Sequence, residues 1–426
     1  MGRIQKQFAV GYGNAGELLQ LYREIVPQAF IRGLEKIYRP NCRKRTYSSW
    51  LTLWLMIFKR LHPRQVLSVG VIEAGRVLSQ KLSLDTSGFS QARQRMPSGF
   101  IRELVDRIIQ ELLRRTPGRG EVFILDGTTV TLQHTSSILK FFQRIGGSGG
   151  LSHWPKLLMV CAHELNTGIA LRPQFGPMRG SKMRSEPALA GQLFKRIPAG
   201  STILADRCYG IASVASSATR HGLKVILRLT NQRAKKLLGK PLPKKPRRIR
   251  CCWEGVEGDL IVVKLDFDRA RLAKDSYLYL FTTTELMPSD CAELYFKRWS
   301  IETDLRTLKI ELGLDHLSVK SPSMIRKELY IGMAAYSLIR AVMAEAATRK
   351  GLDPRQLSFI RCLDLIISSS WNSYSNLLEG LARCLINKRA EKRPPQPRFL
   401  IYRRRKFQTF IGSRAQAREK YLSLSS

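Results

Sequence analysis

Apolar residues recur every three or four positions along Ala15–Ile37, Ser49–Leu61 and Gly99–Arg115, the period of helices with one buried face. Prolines 40, 63 and 97 break the pattern, and Pro117-Gly118 closes it. Residues 1–118 therefore read as a helical N-terminal region, either a DNA-binding module or a plain scaffold. The pattern then shortens. Val122–Leu125 is an apolar run ending in Asp126 and continuing through Gly127–Val130. Leu157–His163 follows, and after the turn Asn166-Thr167-Gly168 comes Ile169–Gln174, so three antiparallel strands are expected. Ser185 is placed to cap a helix over Leu189–Ile197. Ser201–Ala205 is a strand ending in Asp206, Ala212–His221 a helix and Lys224–Leu229 a strand. The order β-β-β-α-β-α-β over 119–230 predicts an α/β fold, a mixed sheet covered by helices.

Residues 231–286 break this alternation. Cys251–Trp253, Leu260–Phe267 and Tyr277–Phe281 predict a small β-rich insertion. The acid-free stretch Arg233–Arg250 reads as a basic loop, a solvated linker or a nucleic-acid clamp. Trp253 suits a core position better than stacking on a base. The α/β core resumes over 287–350, where Leu329–Ala347, interrupted by Arg340 and Glu345, reads as a buried helix rather than a membrane span. Residues 351–426 read as helices over Asp353–Ser370 and Asn376–Asn387, then a basic tail containing Arg403-Arg404-Arg405-Lys406.

Charge narrows the function. The chain has 426 residues, with 72 Lys and Arg against 33 Asp and Glu, a net charge of +39. Such a field draws polyanions, and nucleic acid is the expected partner. The start has no signal-peptide pattern, which predicts a protein of the reducing cytoplasm and not of a membrane. Eight cysteines without a C-x-x-C pair and six scattered histidines suit neither a disulfide scaffold nor structural zinc. The glycine loop Gly146–Gly150 lacks the Lys-Ser/Thr ending of a P-loop.

Asp126 and Asp206 each end an apolar strand, where a lone carboxylate is costly. Either could simply cap a turn. Two on one sheet can share a divalent cation, which removes the penalty. Downstream, Tyr295, Arg298, Glu302 and Lys309 fall on one stripe if 295–309 is a single helix. A salt-bridged surface explains that stripe as well as a phosphate- and metal-holding face does.

The spacing Tyr-x2-Arg-x3-Glu-x6-Lys, with Trp299 and Ile301, resembles the signature of the insertion-sequence-4 family of DDE transposases. Leu125-Asp126-Gly127-Thr128 and Leu204-Ala205-Asp206-Arg207-Cys208-Tyr209-Gly210 look like that family's two aspartate strands, with Cys208 where glycine is commoner. The resemblance covers about residues 119–345. It implies an RNase H-like core interrupted by the β-rich insertion and flanked by helical termini. It implies catalysis by Asp126, Asp206 and Glu302 holding two Mg²⁺ or Mn²⁺ ions, with Asp126 bridging both. Tyr295, Arg298 and Lys309 are then DNA-binding, Arg298 and Lys309 on phosphates of the element end. Cleavage of double-stranded element ends and joining to target DNA by cut-and-paste follow, with a homodimer pairing the ends. A metal-dependent nuclease that does not join, and a catalytically silent DNA-binding repressor, are the alternatives.

Overall fold

Proline sets the breaks among the first helices. The computed structural model describes residues 16–41, 46–117, 119–147, 150–151, 154–180, 183–243, 245–265, 276–368, 373–386, 399–403 and 406–410. Where one helix is expected over 15–37 there are two, α1 (Gly16–Ile25) and α2 (Gln28–Tyr38), because Pro27 is extended and lacks the N–H that would carry the helix on. Helix α3 (Ser49–Leu61) starts where Ser48 accepts the Leu51 N–H, and it is buried along its whole length, as a helix apolar on every face should be. Helices α4 (Leu67–Leu78), α5 (Ser87–Arg95) and α6 (Ser98–Arg115) complete the region.

Nine strands form one mixed sheet. They are β1 (Val122–Leu132), β2 (Lys156–Glu164), β3 (Gln174–Pro177), β4 (Thr202–Ala205), β5 (Lys224–Leu229), β6 (Arg247–Trp253), β7 (Val256–Lys264), β8 (Tyr277–Thr282) and β9 (His316–Leu317). Their order is β3-β2-β1-β4-β5-β8-β7-β6, and β9 also pairs with β1. Strand β1 runs antiparallel to β2 and parallel to β4, and β4 runs parallel to β5. Helices α7 (Glu186–Phe194) and α8 (Ala212–Arg220) lie between the parallel strands in sequence, as expected.

Two expectations need correcting. The third strand is not Ile169–Gln174. It is interrupted: Ile169–Leu171 pairs with β2 through the Ala170–His163 bridge, and the strand proper, β3, begins only at Gln174. Away from β2, Ala170 is held by Ser337, whose hydroxyl accepts its N–H at 3.1 Å and donates to its carbonyl at 2.9 Å. The strands of 231–286 do form, but β8 joins β5 and the three extend the main sheet. The basic stretch is also less of a loop than expected. It opens with helix α9 (Asn231–Leu238), capped by Thr230 and ended by Gly239 in the left-handed region, and its last residues belong to β6.

Helices α10 (Pro288–Phe296) and α11 (Ser300–Ile310) precede the longest helix, α12 (Pro322–Arg349). This helix is long and apolar enough to cross a membrane, but 94% of its apolar window is buried inside the protein. Helices α13 (Phe359–Ser368) and α14 (Tyr374–Ala382) are shorter than expected, with a 3₁₀ turn at Pro354–Gln356 before them. A second unit begins at Ile386 and contains the antiparallel pair Phe399–Arg403 and Lys406–Phe410. The rest of the expected basic tail lies outside the described residues.

One buried acid ties the N-terminal helices to α12. Glu328 meets Lys59 at 3.3 Å, Arg93 at 2.9 Å and the Arg60 guanidinium. Burial opposes its charge, but the three cations prevail and pull its pKa down to about 2. Removing one partner of a buried pair leaves the others uncompensated, so Glu328→Gln should lower unfolding stability by about 3–5 kcal/mol in urea titrations at neutral pH. A depressed carboxylate stabilises the fold above its unfolded pKa and loses that effect as pH falls through its folded one. Wild-type stability should therefore drop from about pH 4.5 toward pH 2, and Glu328→Gln should flatten that part of the profile.

Candidate active site

Strand β1 is paired unevenly along its two edges. On one edge β2 pairs it from Phe123 to Thr131. On the other, β4 pairs Val122–Leu125 and β9 pairs only Thr131 and Leu132. Between those partners, Asp126 and Thr128 line an open cleft of about 460 Å³, whose opposite wall is Glu302, Leu305, Arg306, Lys309 and Ile310 of α11, with Asp315. Asp126 is thus not at the end of a strand, as the apolar run suggested. It lies inside an 11-residue strand, at the point where parallel pairing with β4 stops.

Asp206 follows β4 directly and accepts the Cys208 N–H at 2.7 Å, while Asp126 accepts the Gly127 N–H at 2.8 Å. The turn after Asp206 is fixed from α9, where Arg233 donates to the Arg207 carbonyl at 2.5 Å and the Gly210 carbonyl at 3.1 Å. Gly210 packs so tightly on β5 that a Cβ would run into the Arg228 carbonyl oxygen.

The third acid arrives on a broken helix. A 3₁₀ turn, Lys297–Trp299, separates α10 from α11. Tyr295, Arg298, Glu302 and Lys309 are therefore not on one unbroken α-helix, although Arg298 still reaches Glu302 one turn on. The first two are buried; Glu302 is half-exposed and Lys309 less so. Arg298 lies between two acids, with Nη1 3.9 Å from Asp126 Oδ2 and Nη2 3.5 Å from Glu302 Oε1. Among the described residues its buried Nε has no hydrogen-bond partner. Trp299 is exposed, with the Arg298 guanidinium 5.8 Å from its ring centre. Lys309 Nζ is 3.6 Å from Asp315.

Helix α11 is held from behind by Asp304, two residues past Glu302 and fully buried. Arg355 Nη1 bonds both its oxygens at 2.7 and 2.8 Å, Arg340 bonds Oδ1 at 2.6 Å, and His163 Nδ1 lies 3.3 Å from Oδ2. Burial alone would raise this carboxyl, but the two guanidinium groups hold it far below the usual range. Asp126 behaves oppositely. Burial raises its pKa to about 6, with Asp206 and Glu186 adding to the rise, while the Gly127 N–H and Arg298 oppose it.

Known proteins are similar to this chain in sequence. The family described as Transposase DDE domain matches residues 117–338. The chain is 25% identical over 363 residues to the transposase InsG for insertion sequence element IS4 of Escherichia coli strain K12, covering 80% of each chain. It is 22% identical over 267 residues to a putative transposase for insertion sequence element IS4SA of Synechocystis sp. strain PCC 6803, covering 61% of this chain and 72% of that one. The chain belongs to the insertion-sequence-4 family of DDE transposases.

In this transposase the acids suit a divalent cation by chemistry. They are hard oxygen donors, and Asp126 is a partly buried carboxyl whose charge is opposed by two neighbouring acids, a conflict that a cation relieves. They are not gathered at one point: among the described residues no three of His, Cys, Asp or Glu converge closely enough to share an ion. Arg306 and Asp315 line the cleft and were not anticipated. Arg306 sits one turn past Glu302, so helical spacing could have found it; nothing local marks Asp315. Trp253 packs edge-on against Phe281 at 4.9 Å but is only half-buried, at the rim of the core and not inside it as expected. A larger cavity of about 960 Å³ lies among the N-terminal helices, lined by Tyr38, Arg39, Asp85 and Arg95, and contains none of the three acids.

Removing Asp304 would strand two buried guanidinium groups. Asp304→Ala should reduce unfolding stability by about 3–5 kcal/mol in urea titrations, whereas half-exposed Glu302→Ala should change it by less than about 0.5 kcal/mol.

Proposed function

We propose that this chain binds the ends of its insertion element, cleaves them by divalent-metal-dependent hydrolysis, and joins them to target DNA by transesterification in a cut-and-paste reaction. The observation that carries the reading is the placement of Arg298 between Asp126 and Glu302, at an open cleft shared with Lys309. Such a cleft admits a phosphodiester backbone, and a net charge of +39 favours its approach. We take the core as RNase H-like, since β1, β2 and β3 form an antiparallel run and β4 and β5 add in parallel beside β1.

Asp126, Asp206 and Glu302 would hold Mg²⁺ or Mn²⁺, two ions in all. Bound there, the metal would activate water or a 3′-hydroxyl and stabilise the leaving oxygen. The chain's own groups do the rest. Arg298 offers its guanidinium to a phosphate in exchange for two long ion pairs of 3.5 and 3.9 Å. Lys309 is steadied by Asp315 and supplies a point charge at the cleft wall. Tyr295, buried beside Arg298, keeps its phenol protonated, because burial raises its pKa, and it orients the guanidinium. Two DNA ends call for two copies of the chain, so a homodimer is the proposed active form, acting on DNA of the nucleoid.

The test uses DNA carrying the inverted repeats that flank the gene, with Mg²⁺ or Mn²⁺ and an EDTA control. Excision and joining should need metal and fall to background in Asp126→Asn and Glu302→Gln. Lys309→Ala should weaken end binding about 10-fold, the size of one charged hydrogen bond. Cleavage without joining would make the protein a nuclease, and binding without cleavage would make it a repressor.

A further inference from the structure

We propose that an arginine-rich cavity, at the other end of strand β4 from the cleft, binds a phosphate of the DNA backbone and so grips the duplex at a second place on this chain. The proposal rests on the DNA-binding reading above. The cavity holds about 430 Å³ and opens between the C-terminal half of α6, the Leu171-Arg172 segment and the residues that follow α7. Its charged lining is Arg114, Arg119, Arg172, Lys195 and Arg196, with Asp106 as the one acid. Lys195 and Arg196 come before β4 and Asp206 comes after it. The four residues of that strand, about 13 Å in length, therefore lie between this cavity and the Asp206 turn.

Asp106 is already engaged. It accepts Arg172 Nε at 2.6 Å and Nη2 at 2.7 Å, and Arg172 is buried with its guanidinium 4.8 Å from the Tyr330 ring centre. Arg114 pairs with Glu111 at 2.8 Å. Among the described residues Arg119, Lys195 and Arg196 have no carboxylate within ion-pair reach. Arg196 is half-buried, and its Nη1 donates to a neutral group, the Arg172 carbonyl, at 3.3 Å. Turning the Gln174 amide gives it a second neutral acceptor at 2.6 Å. Burial, with Arg172 beside it, pulls its pKa down to about 10. A guanidinium set against another guanidinium, with no carboxylate of its own, is a charge conflict that an anion in the cavity relieves. Arginine forks match phosphate oxygens in pairs, and exposed Arg119 and Lys195 add charge at the rim. The proposed reaction brings a duplex to this protein, so the phosphate is assigned to DNA and not to a free nucleotide.

The test measures binding of a duplex carrying the flanking inverted repeat to the full chain in EDTA, by fluorescence anisotropy, from about 50 to 200 mM salt. Wild type is compared with the double variant Arg119→Gln/Lys195→Gln, with Arg196→Gln and Lys309→Ala, and with exposed Lys350→Gln as a charge-matched control. The double variant should bind about 10-fold more weakly, on cognate and scrambled duplex alike, at an unchanged melting temperature. Its slope of log affinity against log salt should be shallower by about 1–2. Arg196→Gln should weaken binding in the same way, and Lys350→Gln should bind like wild type. If the double variant and Arg196→Gln bind like wild type while Lys309→Ala binds more weakly, this site falls and the cleft reading stands. The reverse pattern keeps this site and removes Lys309 as a DNA contact. An equal loss in Lys350→Gln marks the general field of the chain and overturns the assignment. So does a double variant that loses only its thermal stabilisation by inorganic phosphate, which marks a small-anion site. If wild type binds no duplex, both readings fall together.

Discussion

The placement of Glu302 depends on a carboxylate that does not face the cleft. Asp304 lies on the same helix two residues on, about 200° further round its axis, so one acid points inward when the other points out. Inside the protein Asp304 is shared by Arg340 from α12, Arg355 from the segment beyond it, and His163 from β2. Arg355 also donates to the Leu165 carbonyl at 2.8 Å and the Glu164 carbonyl at 3.2 Å, where the chain leaves β2. One buried charge thus locks the Glu302 helix, the long helix and the sheet into a single register. Burying a carboxylate is unfavourable by itself, and two guanidinium groups at hydrogen-bond distance offset that cost only while all three elements stay in place.

Helix α12 repeats the device near its other end. Glu328 lies 12 residues before Arg340, about 18 Å along the axis, and gathers Lys59, Arg60 and Arg93 from the N-terminal helices. Arg60 also donates to the Leu312 carbonyl at 3.0 Å, just past the Glu302 helix. The N-terminal helices therefore bear on the site through charge as well as through apolar packing. A helix that by composition resembles a membrane span serves here as the keel of a water-exposed catalytic core.

The sheet makes the site by leaving an edge unfilled. Strand β4 is only four residues long and stops at Ala205, so Asp206 begins a turn and Asp126 loses its parallel neighbour at the same level. Carboxylates collect at this gap because backbone there is not committed to a ladder. Arg233 and the close approach of Gly210 to Arg228 hold the Asp206 turn against β5, which keeps the gap from closing or drifting.

Much of this was legible in the residues themselves. Helix and strand types, the acids Asp126, Asp206 and Glu302, and the Tyr295–Lys309 spacing follow from short-range pattern and residue chemistry, which act over a few positions. Other features depended on partners tens or hundreds of residues away. The strand expected over Ile169–Gln174 is interrupted after Leu171, with Ala170 held by Ser337 of the long helix, the insertion strands extended the main sheet through β8, and Glu186 came to rest on Gly127. No local period encodes those meetings. The sequence by itself determined the elements, the family and the three acids. The tertiary structure decided which edge stays open and what anchors the Glu302 helix, because buried charge and close packing are settled only when distant segments meet.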